Sequence, residues 1–201
     1  MNKICLREIK KSYAGRPVLD GFTLVLPQGS RTCLMAPSGS GKTTLFRLIL
    51  GLERPDGGEI TGTDGCRMGA VFQEDRLLEE LTAVENVRLV TAKPVSDREI
   101  RSHLLRVLPE EALDKPAGKQ SGGMKRRIAL VRAVLSPADV LVLDEPFAGL
   151  DSATKEQVIR YLLEEQKGRT LLFSTHQEED ARLMQADVCG LNAAADEVKS
   201  V

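Results

Sequence analysis

The chain has 201 residues, enough for one substantial core with room for an inserted subdomain. Its 28 basic residues balance 29 acidic ones, a net charge of −1, which leaves no basic footprint for nucleic acid. Hydrophobic residues make up 42%, yet no apolar run approaches the length that spans a bilayer, and charges within Met1 to Glu8 argue against a secretory signal. Cys5, Cys33, Cys66 and Cys189 lie far apart, without metal-ligand spacing, which points to thiols in a reducing cytosol, with Cys33 as core filling.

In chain order, Ile4 to Ile9 reads as a strand, broken by turn chemistry from Lys11 to Pro17. Tyr13 falls in that turn. Alone, it is as well explained by a surface loop as by a ring stacked on a base. Phe22, Leu24 and Leu26 alternate as in a strand with one apolar face. Pro27-Gln28-Gly29 turns into the apolar run Thr32 to Met35, a buried strand.

After that strand comes Ala36-Pro37-Ser38-Gly39-Ser40-Gly41-Lys42-Thr43-Thr44, then an apolar helix from Leu45 to Leu50 with Gly51 as its stop. A strand, a Gly-rich loop, a lysine and a hydroxyl at a helix N-terminus form a P-loop. Backbone N–H groups of such a loop hold phosphate oxygens, and the helix N-terminus adds partial positive charge. Gly39 and Gly41 let the backbone approach closely. Lys42 is placed to reach β/γ-phosphates, and Thr43 to bind Mg²⁺ through its hydroxyl. The pattern usually opens on Gly, and here Ala36 stands there. If that position needs a positive φ, Ala costs about 1–2 kcal/mol; otherwise it is harmless.

Glu53 to Ile60 is a turn entering a short strand, and Arg67 to Phe72 is another strand with Gln73 at its end. A lone Gln there is either a solvated cap or a ligand-facing group. From residue 74 the character changes to helices without strands. Thr82-Ala83-Val84-Glu85 and Ser96-Asp97-Arg98-Glu99 are capping-box patterns, the second opening a helix with Ile100, Leu104, Val107 and Leu108 on one face. Pro109 and Pro116 bracket a linker. His103, without partner spacing, reads as a surface residue.

Lys119-Gln120-Ser121-Gly122-Gly123-Met124 runs into a helix that buries Met124, Ile128, Val131 and Val134 or Leu135. Ser-Gly-Gly before a helix is either an N-cap or a second nest of N–H groups for phosphate. Val140 to Leu143 is a continuous apolar run, as in a parallel strand buried on both faces, and Asp144-Glu145 follows at once. In a P-loop enzyme the first such carboxylate helps hold Mg²⁺ and the second orients or deprotonates a water. Ala148 to Asp151 leads into a helix through Val158, Ile159, Leu162 and Leu163. Thr170 to Ser174 is one more strand, ending at Thr175-His176, and Gln177 to Asp180 opens a last helix with acids at its positive end.

In this order the motifs, from Tyr13 to His176, resemble the nucleotide-binding subunit of ATP-binding cassette (ABC) transporters. The resemblance implies an α/β fold: a RecA-like P-loop core with an N-terminal antiparallel β subdomain and an inserted helical subdomain. Residues 1–201 would form one domain, with 1–73 and 131–201 as core and 74–130 as insertion. It implies that Tyr13 stacks on adenine, that residues 36–44 form Walker A and that residues 140–145 form Walker B. It implies ATP and Mg²⁺ as ligands, with Thr43, Gln73 and Asp144 toward the metal and Glu145, His176 and Gln73 in catalysis. Ser121-Gly122-Gly123 matches the signature, which in this family caps ATP bound by a partner subunit, and Asp151 matches the aspartate at the dimer interface. The implied partners are a second ATPase subunit, a membrane permease docking on residues 74–130 and, for an importer, a solute-binding protein. The implied place is the cytoplasmic face of the cell membrane. Val71 to Leu78 is similar to importers of nitrate, sulfonates and taurine. The sequence runs only a short way past the last helix, so the C-terminal regulatory domain that some importer subunits carry is not expected.

Ala36, Gln120 and Met124 depart from the family pattern, which predicts reduced or conditional ATPase. The alternative is a non-catalytic, regulatory cassette. Chromosome-type relatives insert a long coiled coil between Thr44 and Val140, whereas here roughly a hundred residues without long heptads separate them. Translation-type relatives carry two cassettes, and other P-loop kinases and GTPases lack the Ser-Gly-Gly and Thr-His pair.

Overall fold

The computed structural model describes residues 3–91 and 95–191. The ends of the expected domain, and the part of the insertion at 92–94, lie outside the described residues.

Strands β1 (Lys3–Tyr13) and β2 (Arg16–Pro27) form a long antiparallel hairpin. The expected turn from Lys11 to Pro17 is shorter: only Ala14 and Gly15 turn, both with positive φ, and Tyr13 pairs with Arg16. That is two-residue hairpin chemistry, which the breaker residues Gly15 and Pro17 made look wider. β4 (Gly57–Thr61) pairs with the other edge of β1, giving the order β2-β1-β4.

The second sheet is parallel throughout, in the order β5-β6-β7-β3-β8. Its strands are β3 (Arg31–Met35), β5 (Met68–Val71), β6 (Val140–Leu143), β7 (Thr170–Thr175) and β8 (Asp187–Gly190). The apolar run of β6 is buried at every residue because both faces are covered, as its lack of alternation predicts. Val140, Val142, Leu172 and Leu34 pack on one face against helix α1 (Lys42–Ile49) and the antiparallel sheet. Leu141, Leu143, Leu171 and Phe173 pack on the other face with α4 (Gly122–Leu135) and α5 (Ser152–Glu165). Cys33 also lies on that second face, and burial pushes its thiol up to about 12, consistent with core filling.

The segment expected as an insertion contains α2 (Ala83–Arg88) and α3 (Asp97–Leu104). The box at Thr82 closes fully: Glu85 N–H donates to Thr82 Oγ1 and the Glu85 carboxylate accepts from Thr82 N–H. At Ser96 only half forms, Glu99 N–H donating to Ser96 Oγ. The Pro109–Pro116 linker is packed, with Ala112, Leu113 and Ala117 buried and short 3₁₀ turns at Glu110–Ala112 and Ala117–Lys119. α4 runs unbroken through residue 130, the expected end of the insertion, and packs on α2, α3 and β5. Helix α6 (Glu178–Leu183) precedes β8.

His103 is not a free surface residue. Its ring meets Tyr161 of α5 edge-on, with Nδ1 3.2 Å from the phenol oxygen. Beside it, Arg106 pairs with Glu164 and with Glu165, the latter at 2.5 Å. This polar seam ties the insertion to α5.

Candidate functional site

In an open parallel sheet, ligands bind beyond the carboxyl ends of the strands. Here β3 ends at the P-loop, β5 just before Gln73, β6 at Asp144-Glu145 and β7 at Thr175-His176. The strand order therefore brings four separate sequence segments to one edge. Tyr13, Ser38, Gly39, Gly41, Lys42, Thr43, Thr44, Gln73, Asp144 and Glu145 line one cleft of about 270 Å³ there. A larger cleft, about 520 Å³, lies at the opposite ends of the strands around Gly65, Asp139 and Lys167, without a comparable set of groups.

The loop is built as its glycines require. Gly39 and Gly41 have φ of 78° and 103°. A Cβ on Gly39 would enter open space, so the cradle is clear, whereas one on Gly41 would come within 2.7 Å of Val18. Ala36 is absent from the positive-φ residues, so its side chain costs nothing there. Its carbonyl accepts from Lys42 Nζ at 2.6 Å, and the Pro37 carbonyl accepts at 2.9 Å. Lys42 is buried and also faces Glu145 Oε1 at 3.9 Å. Ser40 Oγ is buried with no hydrogen-bond partner among the described residues. A buried orphan hydroxyl in a ring of N–H groups suits a phosphate oxygen.

The carboxylates are held by hydroxyls. Thr43 Oγ1 donates to Asp144 Oδ2 at 2.6 Å, and Ser174 Oγ donates to Asp144 Oδ1 at 2.7 Å. Thr43 and Asp144 thus offer adjacent hard oxygen donors, the set that suits Mg²⁺. Glu145 has φ of 47°, a left-handed conformation that costs a non-glycine residue about 1–2 kcal/mol and persists only where its surroundings impose it. Its Oε2 lies 3.3 Å from His176 Nδ1. Behind His176, Thr175 Oγ1 donates to the buried Asp180 at 2.7 Å, and Lys155 Nζ reaches the same carboxylate at 2.7 Å. The acids of α6 are therefore not equivalent: Asp180 turns inward and locks the turn that carries His176.

Gln73 is exposed and lines the cleft, and its backbone is fixed. Arg126 of α4 donates at 2.5 Å to the carbonyls of both Phe72 and Gln73, and Arg132 donates to those of Asp75 and Arg76 at 2.9 and 2.7 Å. Tyr13 lines the cleft, and its hydroxyl donates to Glu53.

Ser121, Gly122 and Gly123 do not join this cleft. Ser121 is the N-cap of α4, its Oγ accepting from Met124 N–H at 3.3 Å, and it is exposed with Gly122. A Cβ on Gly123 would come within 3.3 Å of Leu150, next to Asp151, which caps α5 through Thr154. Gln120, at a departure from the family pattern, is buried and donates to the carbonyls of Ala112 at 2.7 Å and Lys115 at 3.2 Å. Met124 is half-buried against the core.

Sequence reading missed Ser174, Arg126, Arg132 and the Lys155–Asp180 pair. The sequence carries a signal for one of them, the hydroxyl that closes the apolar run Leu171-Leu172-Phe173-Ser174.

Residues 19–148 match the profile of the ABC transporter family. The chain is 37% identical over 196 residues to the sulfate/thiosulfate import ATP-binding protein CysA of Salmonella typhi, covering 88% of this chain and 54% of that protein. It is 37% identical over 195 residues to the spermidine/putrescine import ATP-binding protein PotA of Haemophilus influenzae, covering 89% and 52%. It thus spans about half the length of these curated relatives. The dimeric structure of MJ0796, a bacterial ABC transporter cassette, superposes with a TM-score of 0.83 at 26% identity over 98% of both chains. A post-hydrolysis dimer of the same cassette bound to ADP and Pi gives 0.81 at 28% identity over 93% of each. With the profile match and the fold in agreement, the chain belongs to the ABC transporter family.

Proposed function

We propose that the chain binds and hydrolyses ATP and drives solute import by closing head to tail on a second cassette. One observation supports this above others: at the carboxyl ends of the strands Thr43 contacts Asp144, Lys42 and His176 both contact Glu145, and Ser174 bridges Asp144 to the backbone of Glu145. The loop amides, Ser40 and Lys42 would hold the phosphates. Thr43 and Asp144 would hold Mg²⁺, which when bound neutralises charge between the β- and γ-phosphates. Glu145, at 3.3 Å from His176, is placed to accept a proton from an attacking water, with His176 reaching toward the γ-phosphate. Gln73 would touch the metal or that water, and the ring of Tyr13 would stack on the base.

The Ser121-Gly122-Gly123 segment, exposed at Ser121 and Gly122, would cap a nucleotide on a second subunit, which is why hydrolysis would need a dimer. Ala36 and Gln120 are accommodated without strain or unpaired groups, which favours turnover over a purely regulatory cassette. The named relatives are import subunits, which supports that direction and a permease docked on residues 74–130 at the inner face of the membrane. Among the described residues no helix is long and apolar enough to cross a membrane. One relative is named for sulfate and thiosulfate and the other for polyamines, at equal identity, so the cargo would be chosen by the membrane subunit rather than by this chain.

The test is size-exclusion with light scattering on Glu145→Gln, with ATP and no Mg²⁺. A shift from monomer to dimer is expected. ATP binding without any shift, in the cassette alone and with its permease, would overturn head-to-tail closure. Lys42→Ala should lose nucleotide binding, and affinity equal to the wild type would overturn the P-loop assignment.

A further inference from the structure

We infer that Ser174 is a positioning residue that sets the Asp144 carboxylate and the backbone turn that carries Glu145, an inference that rests on the ATPase reading above. Ser174 is fully buried at the end of β7. Register pairs Leu143 with Phe173, so the next residues, Asp144 and Ser174, stand opposite each other. Alternation along the strands turns both toward α1, the side on which Val142 and Leu172 pack. Thr43 meets Asp144 from α1 on that side.

The direction of the hydrogen bonds follows from chemistry. Glu145 N–H can only donate, and it does so to Ser174 Oγ at 2.8 Å. The Ser174 proton is therefore free for Asp144 Oδ1, which it reaches at 2.7 Å. One hydroxyl thus links the backbone of Glu145 to the side chain of Asp144. Up to Asp144 the backbone stays in the ladder, its N–H bonded to Val71 O at 2.8 Å. At Glu145 the chain turns left-handed, and its amide leaves the ladder for Ser174. With Oδ1 held by Ser174, Asp144 presents Oδ2 beside Thr43, where the two can act on a metal together. An apolar residue at 174 would fill the strand equally well. It would leave the Glu145 amide without its acceptor and Asp144 free to rotate.

The test uses Ser174→Ala, and Ser174→Cys, which keeps the volume with a weaker hydrogen-bonding group. In hydrogen exchange on the nucleotide-free protein, the Glu145 amide should exchange about tenfold faster or more in Ser174→Ala. Metal-free ATP affinity should stay within twofold, while the Mn²⁺ concentration for half-saturation of the ATP complex rises about tenfold, as for other groups that orient a metal ligand. Turnover at saturating ATP should fall about 10–100-fold with KM little changed. Ser174→Cys should lie between Ser174→Ala and wild type, and serves if the alanine variant does not fold. Unchanged Glu145 exchange and unchanged Mn²⁺ half-saturation in the folded variants would overturn the inference. A wild type that binds ATP and Mn²⁺ but never turns over would instead overturn the ATPase reading, leaving the exchange and metal results to judge Ser174.

Discussion

The carboxylates after β6 and the loop after β5 lie side by side in the sheet, yet they are fixed by opposite means. Asp144 and Glu145 are held by residues that the strand register and α1 deliver directly: Ser174, Thr43, and His176 just beyond β7. Residues 72–76 have left the ladder, so their carbonyls need donors from elsewhere, and α4 supplies them through Arg126 and Arg132. A buried guanidinium with several donors can serve consecutive carbonyls that no strand pairs. The first device makes the chemistry depend on the sheet. The second makes the position of Gln73 depend on the helix that begins with Ser121-Gly122-Gly123.

The comparison breaks most visibly at the carboxylate side. Glu145→Gln removes the proposed proton acceptor while preserving its shape. Turnover should fall by about 10²–10⁴ with nucleotide binding retained, measured as phosphate release in the assembled transporter. On the loop side the effect should fall on stability. Arg126→Ala removes two charge-assisted hydrogen bonds and leaves Asp75, 3.2 Å away, without its ion-pair partner. Chemical denaturation should show a loss of about 2–3 kcal/mol. Gln120→Leu, which restores the family's usual apolar residue, should cost about 1 kcal/mol, because two carbonyls lose their donor.

The smallest expected effect concerns the seam between α3 and α5. Burial against Tyr161 is the main cause that lowers the His103 pKa below 6.5, opposed by Glu165 and Glu99 and joined by Arg106 and Lys167. The folded state then binds fewer protons than the unfolded one between the lowered value and 6.5. Stability contributed by neutral His103 is full above 6.5 and is lost as pH falls through that window. Denaturation midpoints of wild type and His103→Gln should therefore converge as pH drops from 7.5 to 5. Parallel curves would show that His103 titrates as it does in the unfolded chain.

The sequence by itself determined the local chemistry. A Gly-rich loop ending in Lys42-Thr43, an all-apolar β6 run followed by two acids, and a box at Thr82 each signal their structure within a few residues, because backbone geometry, burial and capping are short-range. The order of those motifs added the family. Tertiary structure alone decided how distant residues meet: that Ser174 stands opposite Asp144, that Arg126 reaches Phe72, that Asp180 turns inward to Lys155, and that His103 lies on Tyr161. It also decided that Ala36 sits at an ordinary φ and that Gln120 is satisfied inside the linker. β8 was missed for the same reason, since Asp187–Gly190 is too short to show a pattern and becomes a strand only by pairing with β3. Each of these depends on strand register or helix packing between segments far apart in the chain, and such pairings leave no periodic trace in one sequence.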